Sequence, residues 1–231
     1  MLRVEHLEQF YGESHILRDL NLDAGRNACT CIMGRNGVGK TTLLKCLMGL
    51  LPPRSGSVFF DGEDITRLSP GDRARLGFGY VPQGRQIFPL LTVRENLELG
   101  LAARRDASGR IPDFIFDFFP ALADMANRLG GDLSGGQQQQ LAIGRALAIG
   151  PRLMLLDEPA EGIQPNIVNE IAKTIRRMCG EMDITVVLVE QKIPFARAIA
   201  DRYVIMERGH AVRDGSMAGL DGATIRSFLT V

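Results

Sequence analysis

The feature that most restricts the fold of this chain is the stretch GRNGVGKTT at residues 34–42. Its pattern G-x-x-x-x-G-K-[ST] lies between a predicted strand, NACTCIM, and a predicted helix, KTTLLKCLMGLL. In that context backbone N–H groups wrap the phosphates of a nucleotide, the lysine reaches the β- and γ-phosphates, and the threonine hydroxyl coordinates Mg²⁺. A glycine-rich turn without a ligand is the alternative, but the complete pattern favours the nucleotide. The predicted phosphate-binding residues are Gly34, Arg35, Asn36, Gly37, Val38, Gly39, Lys40, Thr41 and Thr42.

A carboxylate for the metal of a bound nucleotide is offered by the run LMLLDEP. Asp157 follows four apolar residues, at the expected C-terminal end of a buried strand, where open α/β sheets bind their ligands. We expect Asp157 to bind Mg²⁺ through water, and the adjacent Glu158 to orient and polarise the attacking water. An acidic pair on a solvated sheet edge is the alternative, which the phosphate-binding stretch upstream disfavours.

Strand and helix patterns alternate along the chain. LMLLD and ITVVLVE are continuous apolar runs, typical of strands buried on both faces of a parallel sheet, and the helical pattern NIVNEIAKTIRRMC lies between them. GSVFFDGEDI and YVIMERGHAV predict hairpins. Residues 84–134 have mainly helical patterns, with loose loops at 107–110. The sequence therefore predicts a single α/β domain over 1–231: a P-loop NTPase core with a mainly parallel sheet, an N-terminal antiparallel β subdomain and an inserted helical subdomain at 84–134.

Composition disfavours several kinds of partner. Lys and Arg number 27, as do Asp and Glu, so the formal charge of +0 gives no reason to expect nucleic acid as a partner. The 4 cysteines have no CxxC spacing and lie in apolar stretches, which predicts reduced core residues rather than a metal site. No run approaches the ~18 apolar residues of a membrane span, and the start has no signal-peptide pattern. We therefore expect a soluble intracellular protein.

The stretch GGDLSGGQQQQLAIGRALAIGP contains four consecutive glutamines. Ser134 precedes Gln137 by the spacing of a capping box, and apolar residues follow up to a Gly-Pro stop, so the glutamines are predicted to lie in the first turns of an ordered helix. Gly135 and Gly136 leave the amides at the helix start unobstructed, which favours an anion there. A plain buried helix explains this stretch alone equally well.

The order of phosphate-binding stretch, Gln83 after an apolar strand, LSGGQ and then LLDEP resembles the ATPase subunits of ABC transporters, over essentially the whole chain. The resemblance implies ATP and Mg²⁺ as ligands. It also implies a head-to-tail dimer, in which each ATP lies between the P-loop of one subunit and the LSGGQ segment of the other. Residues 138–140 match no functional position of the family and are predicted to lie on the helix surface. The residues expected at the partner's ATP are Ser134, Gly135, Gly136 and Gln137.

Other positions match the family one at a time. Tyr11 matches the residue that stacks on adenine, with a core tyrosine as the alternative. Gln83 matches the glutamine that approaches Mg²⁺ and the attacking water. The flanking segment VPQGRQIFPLLTVRENL matches the region that meets the membrane subunit, and such a loop is expected to move when the γ-phosphate is made or lost. The transport pathway is expected to lie in separate permease chains.

The sequence departs from the family pattern at three places. Gln191 stands where a histidine is usual, Gln164 where an aspartate is usual, and Ala160 where Thr or Ser is common. A glutamine amide can donate a hydrogen bond to the γ-phosphate but cannot carry the proton or charge of an imidazole. A poorly hydrolysing site is therefore an alternative, which the intact Glu158, Lys40 and LSGGQ segment oppose.

The VEQ sequence resembles one of the two ATPases of the branched-chain amino-acid and amide importers. LSGGQQQQLAIGRAL and EGIQP look most similar to the urea-type subunit, so we expect an importer of urea or short amides, with a hydrophobic amino-acid importer as the alternative. The resemblance implies a different chain as the second ATPase, permease subunits, and a solute-binding protein outside the membrane. It also implies a peripheral position on the cytoplasmic face of the inner membrane.

Soluble ABC ATPases of DNA repair and translation are a further alternative. The repair type carries a long coiled coil before the LSGGQ segment, whereas only about 50 residues separate Gln83 from Ser134 here. The translation type carries two cassettes, and this chain has a single P-loop. A nucleotide-sensing or structural module is opposed by the intact Glu158.

Overall fold

The computed structural model describes residues 1–104 and 109–229. Its strands are β1 (Leu2–Tyr11), β2 (Ser14–Ala24), β3 (Cys29–Met33), β4 (Ser55–Phe60), β5 (Glu63–Asp64), β6 (Phe78–Val81), β7 (Leu153–Asp157), β8 (Thr185–Val189), β9 (Arg202–Glu207) and β10 (His210–Ser216). Its helices are α1 (Lys40–Met48), α2 (Pro70–Arg75), α3 (Val93–Leu101), α4 (Phe114–Phe118), α5 (Pro120–Asp124), α6 (Gly135–Ala148), α7 (Pro165–Glu181), α8 (Ile193–Ile199) and α9 (Gly222–Phe228).

The larger sheet has the strand order β10-β9-β3-β8-β7-β6 and is parallel except for β10, which joins β9 in antiparallel register. β3, β7 and β8 are buried along their whole length, as their unbroken apolar runs predict. The predicted β7–α7–β8 unit is confirmed, because α7 connects two neighbouring parallel strands. This topology brings the C-terminal ends of β3, β7 and β8 to one edge of the sheet.

The smaller sheet is antiparallel, with the order β2-β1-β4-β5. Asp61 and Gly62 connect β4 to β5, and both have positive φ, 53° and 89°, as a two-residue type I′ turn requires. Arg208 and Gly209 connect β9 to β10 with similar values, 47° and 87°. Both hairpins therefore form where the sequence predicts them, and the expected antiparallel N-terminal sheet is present.

Along the chain, the helices α3, α4 and α5 follow β6 and precede α6. The pattern IPDFIFDFFPAL predicts one helical run, but the structure divides it at Phe119, because Pro120 lacks an N–H and restricts the residue before it. Of the loop predicted at 107–110, residues 107 and 108 lie outside the described ranges. The bounds 84–134 for a helical insertion stay a prediction.

Apolar side chains pack on both faces of the larger sheet. Along β7 and β8, Leu156 and Leu188 join the cluster formed with α6 and α7, whereas Leu155 and Val187 join the cluster formed with α1 and the smaller sheet. The strands are therefore held between two apolar layers. Packing on both sides fixes the edge of the sheet at which β3, β7 and β8 end.

A buried arginine connects the end of α1 to the segment after β5. Arg73 is fully buried, and its guanidinium donates to the backbone oxygens of Cys46 and Leu47 at the end of α1, and to those of Ile65 and Thr66. The first two bonds satisfy carbonyl groups that the last turn of α1 leaves without intrahelical partners. Arg73 therefore fixes the far end of the helix that begins at the P-loop.

The cysteines are free, and they are buried at positions 29, 31 and 46 and half-buried at position 179. In the described ranges, no helix combines the length and apolarity that crossing a membrane demands.

Candidate functional site

The P-loop, residues 34–39, joins the end of β3 to the start of α1. Gly39 is the N-cap of α1 and has a φ of 106°, a conformation that residues with a Cβ rarely adopt. A Cβ at this position would also lie 2.9 Å from the Leu17 side chain. Backbone conformation and close packing therefore both require glycine at the turn from strand to helix.

Lys40 lies inside the loop rather than in solvent. It is 5% exposed, and its Nζ donates to the backbone oxygens of Gly34 at 2.8 Å and Arg35 at 2.9 Å. Burial lowers the pKa of Lys40, and the negative charges of Glu158 and Asp157 oppose that shift. These two bonds use two of the three N–H groups of an ammonium, so the loop holds the cation in place beside the carboxylates.

Asp157, the last residue of β7, has the environment of a metal-binding carboxylate. It is 1% exposed, and neither carboxylate oxygen has a hydrogen-bond partner among the described residues. Burial raises the pKa of Asp157, and the Thr41 hydroxyl approaches and opposes the shift without completing a hydrogen bond. Leaving a buried carboxylate unpaired is costly, and a divalent cation with its waters would satisfy it. The donor set of carboxylate and hydroxyl oxygens thus fits Mg²⁺.

Glu158 follows Asp157 in a left-handed backbone conformation, with a φ of 48°. Such a conformation in a residue other than glycine is strained, and here the Glu158 N–H donates to the Val189 oxygen on β8 at 2.9 Å, which holds it. The Gln191 Nε2 donates to a Glu158 carboxylate oxygen and, at 2.7 Å, to Asn36 Oδ1. Gln191 therefore uses both of its amide hydrogens to connect the P-loop to Glu158.

Lys40, Glu158 and Gln191 line one cleft of about 600 Å³, whereas Asp157 is not among the described residues that line it. Tyr11 lines the cleft and is 46% exposed, which excludes the alternative of a core tyrosine. Gln83 also lines the cleft, but its Nε2 donates to Glu161 at 3.0 Å. Of the predicted residues, the cleft contains Tyr11, Asn36, Gly37, Gly39, Lys40, Thr41, Thr42, Gln83, Glu158 and Gln191.

The LSGGQ segment lies apart from this cleft. Ser134 is the N-cap of α6, and the predicted capping box is present: Ser134 Oγ accepts from the Gln137 N–H at 3.3 Å, and the Gln137 side chain accepts from the Ser134 N–H at 2.9 Å. None of the residues 134–137 is among the described residues that line the cleft. Within one chain, the P-loop and the LSGGQ segment therefore do not form a common site.

The prediction that residues 138–140 lie on the helix surface is wrong for two of the three. Gln139 is 4% and Gln140 3% exposed, and Gln140 Nε2 donates to Glu170 on α7 at 2.8 Å. Only Gln138 is partly exposed. The error arises because α6 is covered by helices on more than one side, which its own sequence pattern does not report.

Three residues that the sequence analysis does not single out also lie at these sites. Glu190 and Lys192 flank Gln191 and line the cleft. The Arg85 guanidinium would come within 3.0 Å of a Cβ at Gly135, and it donates to Gln138 at 3.3 Å. A charged residue directly after the buried strand β8 is the one signal in the sequence that could have found Glu190.

Comparison with known proteins gives the same fold and a shared family. The family model described as ABC transporter matches residues 17–161. The probable branched-chain amino acid transport ATP-binding protein LivF of Archaeoglobus fulgidus is 37% identical over 218 residues, or 94% of this chain and 92% of that protein. The high-affinity branched-chain amino acid transport ATP-binding protein BraG of Pseudomonas aeruginosa is 37% identical over 221 residues, or 95% of this chain and 94% of that protein.

Two solved structures extend the comparison. A nucleotide-free ATP-binding cassette from an ABC transporter matches with a TM-score of 0.86 at 26% identity, covering 99% of this chain and 94% of that chain. A dimeric ATP-binding cassette in a post-hydrolysis state bound to ADP and Pi matches with a TM-score of 0.85 at 28% identity, covering 95% and 100%. Identity at this level over nearly the whole chain, on the same fold, means that the protein belongs to the ABC transporter family, as an ATP-binding subunit that hydrolyses ATP and uses Mg²⁺.

Proposed function

We propose that this ATPase powers an importer of branched-chain or other hydrophobic amino acids. The observation that carries the ATPase role is that the buried Lys40 and the strained Glu158 line one cleft, while the charge of the buried Asp157, whose carboxylate has no partner among the described residues, acts on Lys40. LivF and BraG, which are named for branched-chain amino acid transport, support the choice of solute. They favour this alternative over the urea or amide import that the LSGGQ and EGIQP segments suggested.

In the proposed mechanism, the phosphates of ATP lie against the P-loop amides and Lys40, with adenine on the exposed face of Tyr11. Glu158 orients and polarises the attacking water, and Gln191 releases Asn36 to donate a hydrogen bond to the γ-phosphate while it keeps its bond to Glu158. Mg²⁺ would be held by Thr41, by Asp157 through water and by Gln83, and would supply positive charge to the β- and γ-phosphate oxygens. The Gln83 atom that would bind Mg²⁺ is its side-chain oxygen, and the bond to Glu161 is made by Nε2, so one side chain can make both contacts.

The LSGGQ segment is proposed to act on the nucleotide of a second ATPase subunit, which we expect to be a different chain. This arrangement is supported by the separation of Ser134 from the cleft within one chain. The Ser134 oxygen accepts from Gln137, which leaves its O–H to donate to the partner's γ-phosphate, together with the Gly136 amide. The similar post-hydrolysis cassette is a dimer.

The segment after Gln83 is proposed to contact the permease subunits, and residues 84–134 to form the helical unit that carries this contact. Phe88 and Leu90 are 49% and 84% exposed, a fraction that fits a protein-binding surface more than a folded core. A solute-binding protein outside the membrane would reach this chain only through the permease. The chain would therefore lie on the cytoplasmic face of the inner membrane.

The test is reconstitution of the full-length chain with the membrane subunits that co-purify with it. Proteoliposomes would be supplied with ATP and the solute-binding protein, and uptake of labelled leucine, urea and glutamate would be compared, with Lys40→Ala as the inactive control. We expect leucine uptake that requires ATP. Uptake of urea alone would overturn the choice of solute, and failure of the chain to co-purify with any membrane protein would overturn the transport role.

A further inference from the structure

Glu190 is a buried acidic residue to which neither the sequence pattern nor the proposed mechanism gives a role. It directly follows β8 and is 3% exposed. Its Oε1 accepts from two consecutive backbone N–H groups, those of Gln191 at 2.7 Å and Lys192 at 2.9 Å. Its Oε2 is buried and has no hydrogen-bond partner among the described residues. The carboxyl group thus closes a tight turn directly behind Gln191.

Burying the carboxyl group of Glu190 at this position destabilises the folded state. Burial raises the pKa of Glu190, and the two backbone N–H groups oppose that shift. A buried acid with one unsatisfied oxygen destabilises the folded state relative to an apolar residue of the same size. We therefore look for the role of Glu190 in the residues that its two hydrogen bonds hold in place, Gln191 and Lys192.

Both side chains that follow Glu190 reach the Glu158 segment. Gln191 donates to Glu158 and to Asn36 of the P-loop. Lys192 Nζ donates at 2.6 Å to the backbone oxygen of Ala160, two residues after Glu158. The turn that Glu190 closes therefore carries two side chains that contact the Glu158 segment. Gln191 contacts Glu158 itself, and Lys192 contacts the backbone two residues later.

We propose that Glu190 is a positioning residue for ATP hydrolysis, which fixes the backbone of Gln191 and Lys192 so that their side chains hold Glu158 in its reactive orientation. The inference rests on the proposed function only in taking Glu158 as the group that polarises the water. What Glu190 supplies is an acceptor at a defined position, and its negative charge is not required.

Three substitutions separate position from charge. Glu190→Gln keeps an oxygen acceptor at the same place without the charge, Glu190→Asp keeps the charge but withdraws the acceptor by one methylene, and Glu190→Met keeps the volume and accepts nothing. Steady-state ATPase on the assembled transporter gives kcat and KM, and nucleotide binding is measured separately. We expect Glu190→Gln to stay within about threefold of wild type, and Glu190→Asp and Glu190→Met to lose about 10- to 100-fold in kcat with KM little changed, the loss typical of a small misplacement of a reacting group.

A variant that lacks the side chains of both Gln191 and Lys192 gives the decisive control. In a Gln191→Ala, Lys192→Ala variant, the further change Glu190→Met should add less than about twofold, because a residue that acts through others has no effect once they are removed. A full additive loss there, or Glu190→Asp more active than Glu190→Gln, would overturn the proposal. If Glu190→Met does not fold, the comparison of Asp with Gln still decides.

A measurement that does not depend on activity uses the isolated full-length chain. The amides of Gln191 and Lys192 should exchange hydrogen slowly in wild type and in Glu190→Gln, and faster in Glu190→Asp. Equal exchange in all three would exclude the positioning contact. If wild type hydrolysed no ATP while this pattern held, the proposed function would fail and the positioning contact would stand.

Discussion

The P-loop and the LSGGQ segment are both glycine-rich turns that open a helix, but they treat the helix start in opposite ways. At α1 the N-cap is Gly39, and no described side chain caps the first amides. At α6 the N-cap is Ser134, and a reciprocal capping box occupies the N–H groups of Ser134 and Gln137. A helix start without a side-chain cap has its first amides available for an anion, whereas the capping box at α6 uses the N–H groups of Ser134 and Gln137 and does not use those of Gly135 and Gly136.

The P-loop and the LSGGQ segment also differ in how far their side chains are exposed. Lys40 is 5% exposed and Asp157 is 1% exposed, so the P-loop site is enclosed and charged before any ligand arrives. Ser134 is exposed, and it carries its hydroxyl on the surface. The difference agrees with the proposal that the first site binds a nucleotide by itself and that the second completes a site on another subunit. Five substitutions test that division.

Lys40→Ala should have the largest effect. It removes the cation that the P-loop holds at the expected β- and γ-phosphate position, so we expect Mg-ATP binding to weaken strongly and turnover to fall to background. Binding of a fluorescent ATP analogue and steady-state ATPase measure the two effects. Lys45→Ala, on the exposed side of the same helix, is the matched control and should behave as wild type. Unchanged hydrolysis in Lys40→Ala would contradict the P-loop assignment.

Ser134→Arg should stop hydrolysis while leaving ATP binding by the isolated chain largely intact. A bulky cation at the start of α6 blocks closure against the partner's nucleotide but does not reach the chain's own cleft. Ser69→Arg is the control, since Ser69 is also an exposed serine N-cap, at α2, and its loss has the same local cost. Loss of ATP binding in a folded Ser134→Arg variant would show that the two sites are not separate.

Glu158→Gln should keep ATP bound and lower the rate of hydrolysis by about 10²- to 10⁴-fold, the usual range for a general acid–base group. The substitution keeps the shape of the side chain and removes the charge that polarises water. ATPase and ATP binding on the assembled transporter are measured together. A rate near that of wild type would mean that the P-loop site uses another base.

Gln191→Ala should have a smaller effect, because it leaves the Glu158 carboxylate in place and removes hydrogen bonds to charged acceptors, each of which contributes about 1.5–3 kcal/mol. At 1.36 kcal/mol for each factor of ten, one such bond corresponds to a loss of about 10- to 150-fold. Gln191→His tests whether the usual family residue works equally well between Asn36 and Glu158. If Gln191→Ala were as damaging as Glu158→Gln with binding preserved, our division of roles between the two residues would be mistaken.

Gln137→Ala should have the smallest effect and concerns stability alone in the isolated chain. It removes the side-chain half of the capping box at α6, and the loss of one cap interaction lowers the free energy of unfolding by about 0.5–1 kcal/mol. Urea denaturation measures it. Thr42→Ala, a buried position at the other helix start, separates a cap effect from a packing effect. An unchanged free energy of unfolding would mean that the start of α6 is held by its neighbours and not by its own cap.

Local sequence determines the parts of this protein in which neighbouring residues interact with each other. The P-loop follows from glycines at fixed spacing, the start of α6 from Ser134 and Gln137, and the β4–β5 turn from Asp61 and Gly62. The unbroken apolar runs of β7 and β8 predict buried parallel strands, and the strand ends locate Asp157 and Glu158. Each of these features depends on periodicity, capping or backbone conformation within a few residues.

The tertiary structure alone decides which side chains meet across the sequence. Gln140 is buried because α7 covers it, and Arg73 is buried because it reaches carbonyls at the end of α1, 26 and 27 residues earlier in the chain. Gln191 reaches Asn36 across 155 positions of sequence. The local sequence around a polar residue is the same whether the side chain is solvated or paired in the interior. The hydrogen-bond partner that offsets its desolvation comes from a distant element. The sequence thus identifies the P-loop, Asp157 and Glu158, and the packing of distant elements places Gln191 and Glu190 near Glu158.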